Sequence, residues 1–392
     1  MNLKHDVKVI DAIVLQMTEE ECTQLILKIK LNYIIFVTGF LSKDEDFAYI
    51  RQIIQYLECT IIVTGEYLLY DAEKIMIQNR FIDAVLVNYT SKVILNYIDG
   101  DENLFDICVR KNEKIIMYPA SDAKIVSYGP PIYSLFPVEK YKSPYSTQIY
   151  MSISTDIGCP YQCNFCIARE IPYKTRELEN VKEELLAAQK YGITEFFFRD
   201  FTFGVDKDKT IKLCNILKKL NITWVVSSRA DLLDDAMLRL MKEAGCHTLN
   251  VGVETASNSN LHKIKKYITI ERINEVFNIC NKLGIKTLAH YTIGLPGETK
   301  SDILNTIKFS RKLPSDFASY NIAIPLSGTD IEKNRYQDGL SQYELKRLCN
   351  KAYWDFYFNI PYIWRRIKQI RNWHIFKADL LNGIKLIERI IR

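Results

Sequence analysis

Gly158-Cys159-Pro160-Tyr161-Gln162-Cys163-Asn164-Phe165-Cys166 sets three cysteines in a C-x3-C-x2-C spacing, directly after the apolar run Ile149-Tyr-Met-Ser-Ile-Ser-Thr155. Three thiolates from one short loop can hold three corners of a cubane iron-sulfur (4Fe-4S) cluster and leave its fourth iron without a protein ligand. An open metal position is where chemistry takes place. Zinc would call for two separated ligand pairs, and no second C-x2-C occurs. An electron-carrying ferredoxin needs a fourth thiolate nearby, commonly followed by proline, and none follows. The other seven cysteines (Cys22, Cys59, Cys108, Cys214, Cys246, Cys280, Cys349) lie mostly in apolar periodic segments, where a free cysteine is a small core residue. With no secretory leader read at its start, the chain is not expected to carry a disulfide framework.

From residue 149 on, strand and helix patterns alternate six times. Strands are predicted near 149–156, 194–200, 222–228, 247–253, 285–293 and 317–324, and helices near 176–190, 208–219, 234–244, 258–282 and 300–312. Six such units make a partial barrel with one open side, whose active residues belong at strand carboxyl ends. Upstream, between residues 7 and 98, short β-branched runs alternate with amphipathic stretches. Val7–Asp11, Tyr33–Thr38, Thr60–Thr64 and Ala84–Val87 read as strands of an open doubly wound sheet. The helices between them are expected at Thr18–Ile29, 44–57 and 71–79, the first opened by the capping box Thr18-Glu-Glu-Glu21. Residues 101–148, with Pro119, Pro130, Pro131, Pro137 and Pro144, read as an extended linker with a few short strands. The expected organisation is therefore a Rossmann-like domain over 1–100, this linker, a barrel over 149–330 and a helical extension over 331–392.

Net charge is +5 over 392 residues, but the last 32 hold eight Lys/Arg against Asp379 and Glu388, a net +6. The basic character is local. With Tyr362, Trp364 and Trp373 this tail could touch nucleic acid, an anionic membrane surface or an acidic peptide. The plainer expectation is an amphipathic helix that packs its Ile and Leu on the barrel and shows Lys and Arg to water. Nucleic acid is not an expected partner. No apolar run approaches the roughly 18 residues a membrane span needs, and a cytoplasmic location is expected.

Further motifs fall at the predicted strand ends: Phe198-Arg-Asp-Phe-Thr-Phe203, Ser228-Arg-Ala-Asp-Leu-Leu233, Ala244-Gly-Cys-His-Thr-Leu-Asn-Val-Gly-Val-Glu-Thr255 and Gly294-Leu-Pro-Gly-Glu-Thr299. Together with the cysteine loop, its aromatic Phe165 and the preceding strand, they occur in the order found in radical S-adenosylmethionine (radical SAM) enzymes. Residues 149 to about 330 closely resemble that family, in particular the subgroup with an N-terminal cobalamin-binding domain. The resemblance implies a partial TIM-like barrel, preceded here by a truncated doubly wound Rossmann-like domain. It also implies a 4Fe-4S cluster on Cys159, Cys163 and Cys166, and S-adenosylmethionine (SAM) chelating the open iron. Reductive cleavage of SAM to a 5′-deoxyadenosyl radical would then modify a small molecule or peptide, with a flavodoxin or ferredoxin as electron donor. Methyl transfer, oxidation and cyclisation all stand open as outcomes. The alternatives are a cobalamin-dependent methyltransferase, an RNA-modifying enzyme using the basic tail, and a non-enzymatic cluster-bearing sensor or scaffold. Cobalamin is the third cofactor the resemblance brings, with two departures: the sheet lacks an upstream strand and helix, and no D-x-H-x-x-G motif supplies a histidine for cobalt.

Roles for further residues follow from the groups SAM presents. Its amine needs an acceptor, for which Asp200 or nearby backbone carbonyls are expected. Glu254 is expected at the ribose hydroxyls. Arg229, Lys265 or Lys266 would meet the carboxylate. Gly294 and Gly297 would let backbone approach the adenine. On the fifth strand His290 and Tyr291 are neighbours, and alternation admits only one of them to the barrel interior.

Overall fold

The computed structural model describes residues 5–39, 42–65, 71–143, 148–326, 329–333 and 340–369. It divides into two compact units, Met1–Tyr150 with Lys174–Ile193, and Met151–Tyr173 with Thr194–Arg392.

The first unit is built on a five-stranded sheet in chain order, β1 (Tyr33–Val37), β2 (Thr60–Thr64), β3 (Ala84–Leu86), β4 (Ile107–Lys111) and β5 (Lys114–Met117). The first three strands are parallel, and β4 and β5 add antiparallel. Alternation buries both faces. Ile61, Val63, Val85 and Cys108 pack with Phe47, Ile50, Ile75 and Met76 on one side, while Ile62, Ala84, Leu86, Ile107 and Val109 pack with Val93 on the other. The β4–β5 hairpin lies in the stretch expected as linker. Asn112 and Glu113 close it with φ of 52° and 64°, the left-handed pair that a two-residue turn requires.

One expected strand does not form. Val7–Asp11 has no strand pairing; at its end the Asp11 carboxylate accepts the Val14 amide at 3.0 Å and starts the short helix Ala12–Leu15. The capping box at Thr18 forms as read, with both reciprocal bonds, at the head of helix Glu19–Leu27. A short parallel pair, β6 (Ile125–Val126) with β9 (Lys174–Arg176), completes this unit's strands.

In the second unit six strands form one sheet in the order β14 (Phe317–Ile322), β13 (Lys286–Ile293), β12 (Cys246–Glu254), β11 (Thr223–Ser228), β10 (Glu195–Phe203) and β7 (Tyr150–Ile153). The register from β10 to β14 is parallel throughout. Leu249, Val251, Val253, Ala289, Tyr291 and Ile293 lie on its fully buried side. The opposite face carries Asn250, Gly252, Glu254, His290 and Thr292. Between β7 and β10 lies the short strand β8 (Asp156–Ile157), and the cysteine loop begins directly after it. The helix expected over 258–282 is two, Asn258–Lys263 and Ile270–Leu283. Lys265 and Tyr267, with φ of 56° and 55°, break the chain between them.

Helix Gln342–Tyr357 closes the exposed edge of β14 with tyrosine hydroxyls. Tyr353 Oη accepts the Tyr320 amide at 3.1 Å and donates to the Tyr320 carbonyl at 3.2 Å. Tyr357 Oη does the same for Ala318, at 3.0 and 2.8 Å. Four residues of helix rise about 6.0 Å and two residues of strand about 6.6 Å, so an i, i+4 tyrosine pair matches alternate residues along a sheet edge.

The next helix, Ile360–Gln369, reverses the expected amphipathicity. Arg365 and Arg366 turn toward the barrel and Ile360, Ile363, Trp364 and Ile367 face solvent, because guanidinium groups find a carbonyl and an aromatic face there. Residues 370–392 of the basic tail lie outside the described set.

Candidate active site

The cysteine loop is seated by groups beneath and beside it. Gly158 enters it at φ 72°, where a Cβ would stand 2.5 Å from the carbonyl oxygens of Ile171 and Pro172. No other residue fits there. On β10, buried Asp200 accepts the Thr155 and Asp156 amides at 2.6 and 3.0 Å on Oδ1, and the Thr155 hydroxyl on Oδ2. Burial pushes its carboxyl up to about 6, against the pull of those donors. Both oxygens are thus spent bracing the strand end that feeds the loop. Lys209 ties the same turn from outside, 2.6 Å from Asp156 Oδ1 and 2.8 Å from the Thr155 carbonyl. Asn164, between the second and third cysteines, donates its amides to the Ile264 and Lys263 carbonyls and so anchors the loop to the segment after β12. Phe165 beside it is half-buried.

Arg229, at the carboxyl end of β11, has a use for almost every N–H. It forms a bidentate pair with Asp231 at 3.0 Å, donates to the Lys266 carbonyl at 2.5 Å and lies 3.6 Å from Cys163 Sγ. Its guanidinium also stacks 3.9 Å from the centre of the Tyr161 ring. One side chain therefore clamps two residues of the cysteine loop to the chain that follows β12. Cys159 Sγ lies 3.4 Å from the Thr202 hydroxyl.

The third element is a buried ion pair. Glu254 ends β12 at φ 65°; its Oε1 meets Lys266 Nζ at 2.6 Å and its Oε2 accepts the Thr292 hydroxyl at 2.6 Å. Burial alone would raise its carboxyl, but the charge and hydrogen bond of Lys266, with Thr292, hold it below the ordinary range. The pair lies over Gly252, whose missing Cβ would stand 2.4 Å from Lys266 Nζ and 2.5 Å from Glu254 Oε1. His290, opposite Gly252 in register, is within electrostatic range of both charges, and burial lowers its pKa. Tyr291 points the other way and stacks on Tyr320 at 5.0 Å. Of the two neighbours, His290 is the one that shares the face of Glu254.

Cys163 feels Lys266, Arg229, Glu254 and Cys159, and Cys166 feels both other cysteines and Glu254, so these predicted residues are brought together. Burial pushes the Cys166 thiol up to about 11 and raises Cys163, an effect that Lys266 and Arg229 oppose. Metal ligation takes the thiolate form and reverses that preference. Among the described residues, no three His, Cys, Asp or Glu side chains converge closely enough to hold a single metal ion. Three thiols of one loop are a donor set of the kind a cubane takes, one sulfur to each of three irons.

Other expected residues sit elsewhere. Lys265 is half-exposed and turns toward Asp330, 3.9 Å away. Gly294, at φ 82°, has its missing Cβ position 2.9 Å from Leu345 of helix Gln342–Tyr357, so helix packing takes up that space. At Gly297 a Cβ would meet nothing closer than 3.8 Å. Sequence reading did not single out Tyr161, Thr202, Gly252 or Thr292. Period-two alternation from Glu254 and His290 carries the signal for Gly252 and Thr292. Tyr161 and Thr202 gain their contacts only from the folded chain.

Comparison with known proteins agrees with this geometry. Residues 153–310 match the family described as the radical SAM superfamily. The chain is 30% identical over 348 residues to a Pyrococcus horikoshii protein named uncharacterized methyltransferase PH0819, covering 84% of this chain and 74% of that one. It is 26% identical over 276 residues to the anaerobic magnesium-protoporphyrin IX monomethyl ester cyclase of Rubrivivax gelatinosus, and spans 48% of that protein. Its fold is that of the radical S-adenosylmethionine methyltransferase TsrM from Kitasatospora setae, solved with cobalamin and a [4Fe-4S] cluster, at a TM-score of 0.68 and 16% identity over 84% of this chain and 69% of that one. From the extent of the first relative and the match across the barrel, the chain belongs to the radical SAM superfamily of enzymes.

Proposed function

We propose that this chain cleaves SAM at a cluster held by Cys159, Cys163 and Cys166 and uses the resulting radical on a small molecule or peptide. The observation that carries the reading is the meeting of the cysteine loop with Arg229 and the Glu254–Lys266 pair at adjacent strand ends. When bound, the cluster supplies the electron that breaks the sulfonium of SAM to give methionine and a 5′-deoxyadenosyl radical. The protein supplies binding, orientation and exclusion of water.

Lys266 has one N–H on Glu254 and two more with which to receive a carboxylate. Glu254, kept ionised by Lys266 and Thr292, is an acceptor for ribose hydroxyls. Arg229 holds Tyr161 and Cys163 in place, and Asp200 acts through Thr155 and Asp156. His290 faces the same side and is placed to meet substrate.

The test is anaerobic reconstitution with iron and sulfide, followed by reduction in the presence of SAM. The wild-type chain should release 5′-deoxyadenosine. Cys163→Ala should lose most cluster iron and all SAM cleavage while keeping its secondary structure. Full iron content in that variant would refute the assignment. Glu254→Ala should keep the cluster and bind SAM more weakly.

A second reading, cobalamin-dependent methyl transfer, is favoured by the methyltransferase names of the relatives and by a fold match that extends beyond the barrel. The first unit has no D-x-H-x-x-G histidine to serve as an axial ligand for cobalt, and its one histidine, His5, lies 3.2 Å from Asp99. Corrin absorbance retained after refolding with hydroxocobalamin would support this reading without that ligand.

A further inference from the structure

The sheet face that carries Glu254 and His290 also carries a polar row further back along the strands. Ser227 on β11 stands opposite Asn250 on β12. On β10, Phe197 pairs with Val225, two residues before Ser227, so alternation sets Arg199 on this face as well. Its guanidinium lies 5.5 Å from the centre of the Phe197 ring, as neighbours on one face do. The other side of the same strands is packed with Phe198, Trp224, Leu249 and Val251, all fully buried.

Asn250 is the member of the row that lacks a partner. It is only 4% exposed, its amide reaches the Ser227 hydroxyl at 3.4 Å, and its Oδ1 meets no donor among the described residues. A buried acceptor without a donor destabilises a fold, and native chains keep few of them. Arg199 is exposed, and no carboxylate pairs with it among the described residues. Nearer the strand ends Lys266 is matched by Glu254, and burial lowers the pKa of His290. Arg199 is therefore the unmatched charge of the row.

These groups define the ligand they fit. β10 and β12 flank β11, which sets their backbones about 9–10 Å apart. A small molecule lying over Ser227 would meet a guanidinium on one side and an amide oxygen on the other. A carboxylate takes the arginine fork with two parallel hydrogen bonds and one negative charge. A phosphate dianion would bring a second charge that nothing in the row balances. Asn250 Oδ1 and the free lone pair of Ser227 Oγ both accept, so a nitrogen with its N–H groups serves them better than a single hydroxyl.

We propose that Arg199, Ser227 and Asn250 form the substrate subsite of this enzyme, and that the substrate carries a carboxylate for Arg199 and a neighbouring N–H donor for Asn250, the chemistry of an amino acid or a peptide C-terminus. The inference rests on the radical reading of the site only in calling this ligand the substrate.

The test is equilibrium dialysis of the full-length, cluster-reconstituted protein, with SAM present, against the twenty amino acids in free, N-acetylated and carboxamide form. At least one free or N-acetylated acid should be retained, and its carboxamide at least tenfold less; retention of the N-acetyl form marks a peptide end, and of the free form alone a small molecule. Arg199→Met and Asn250→Val should each lower that retention about tenfold or more, the order expected for a lost charge-assisted or buried hydrogen bond, with cluster iron at the wild-type level. Without ligand, Asn250→Val should melt no lower than wild type, because the acceptor it removes had no donor; a lower melting temperature would make Asn250 a structural residue and overturn its assignment. Retention of no acid, equal retention of acid and carboxamide, or retention that both substitutions leave intact would overturn the proposal. Release of 5′-deoxyadenosine is scored separately. A chain that cleaves SAM and holds no acid sinks this inference alone, whereas one that holds the acid through Arg199 and Asn250 and cleaves no SAM refutes the radical reading and leaves the subsite standing.

Discussion

Gly252 is without a side chain because two charged ones lie across it. Adding a methyl there puts carbon within 2.5 Å of Lys266 Nζ and Glu254 Oε1, and both groups are buried, so the pair must move. Gly252→Ala should therefore weaken SAM binding about tenfold, the usual order for losing a group that orients ligands, while cluster iron stays at the wild-type level. Isothermal titration of reconstituted protein with SAM measures this. Asp200 gives a second test. Its carboxyl is raised from 3.8 to about 6 by burial, so the folded protein holds that proton more tightly than the unfolded chain between those values. Stability from this group is present at low pH and is lost as pH rises through about 4 to 6, the reverse of an ordinary paired carboxylate. In Asp200→Asn that loss is removed. Relative to wild type, the variant's melting temperature should be more favourable at pH 7.5 than at pH 4.5, and an equal offset at both would show that Asp200 is not raised.

At the scale of elements, the tyrosine pair on helix Gln342–Tyr357 explains how the barrel ends without an exposed strand edge. The hydroxyls of Tyr353 and Tyr357 satisfy the outward N–H and C=O of Tyr320 and Ala318, groups that would otherwise invite pairing with another chain. Tyr357→Phe should cost about 1–3 kcal/mol, since it leaves the Ala318 N–H and carbonyl without this partner, and Tyr353→Phe should cost less, since the Tyr320 carbonyl keeps the Cys349 thiol at 3.3 Å. Urea denaturation gives the cost, and faster amide exchange at Tyr320 or Ala318 locates it. The helix after it shows why its own sequence misleads. Hydrophobic period alone places Ile and Trp inward, whereas Phe317 and the Ser315 carbonyl reward arginine at that position.

For the whole molecule, the site belongs to one of the two compact units, and ligand binding should be felt there. On adding SAM to the reconstituted protein, hydrogen exchange should slow over 156–171, 229–231 and 263–267, with β1 to β5 unchanged. Protection spread over that sheet instead would place SAM elsewhere. The strand-end motifs, the cysteine loop and the alternation of both sheets were legible in the chain itself, because period and ligand spacing are local properties. The strand expected at Val7–Asp11 does not form, because pairing needs an edge contributed by a strand distant in the chain, which side-chain type and period do not encode. The amino-acid sequence by itself determined the βα succession, the spacing of the three cysteines and the family. Only the tertiary structure decided that Arg229 clamps the loop, that Glu254 and Lys266 pair over Gly252, that His290 and not Tyr291 shares their face, and that helix Ile360–Gln369 turns its arginines inward. Those outcomes depend on groups far apart in the chain meeting out of water, where each buried charge must find its partner.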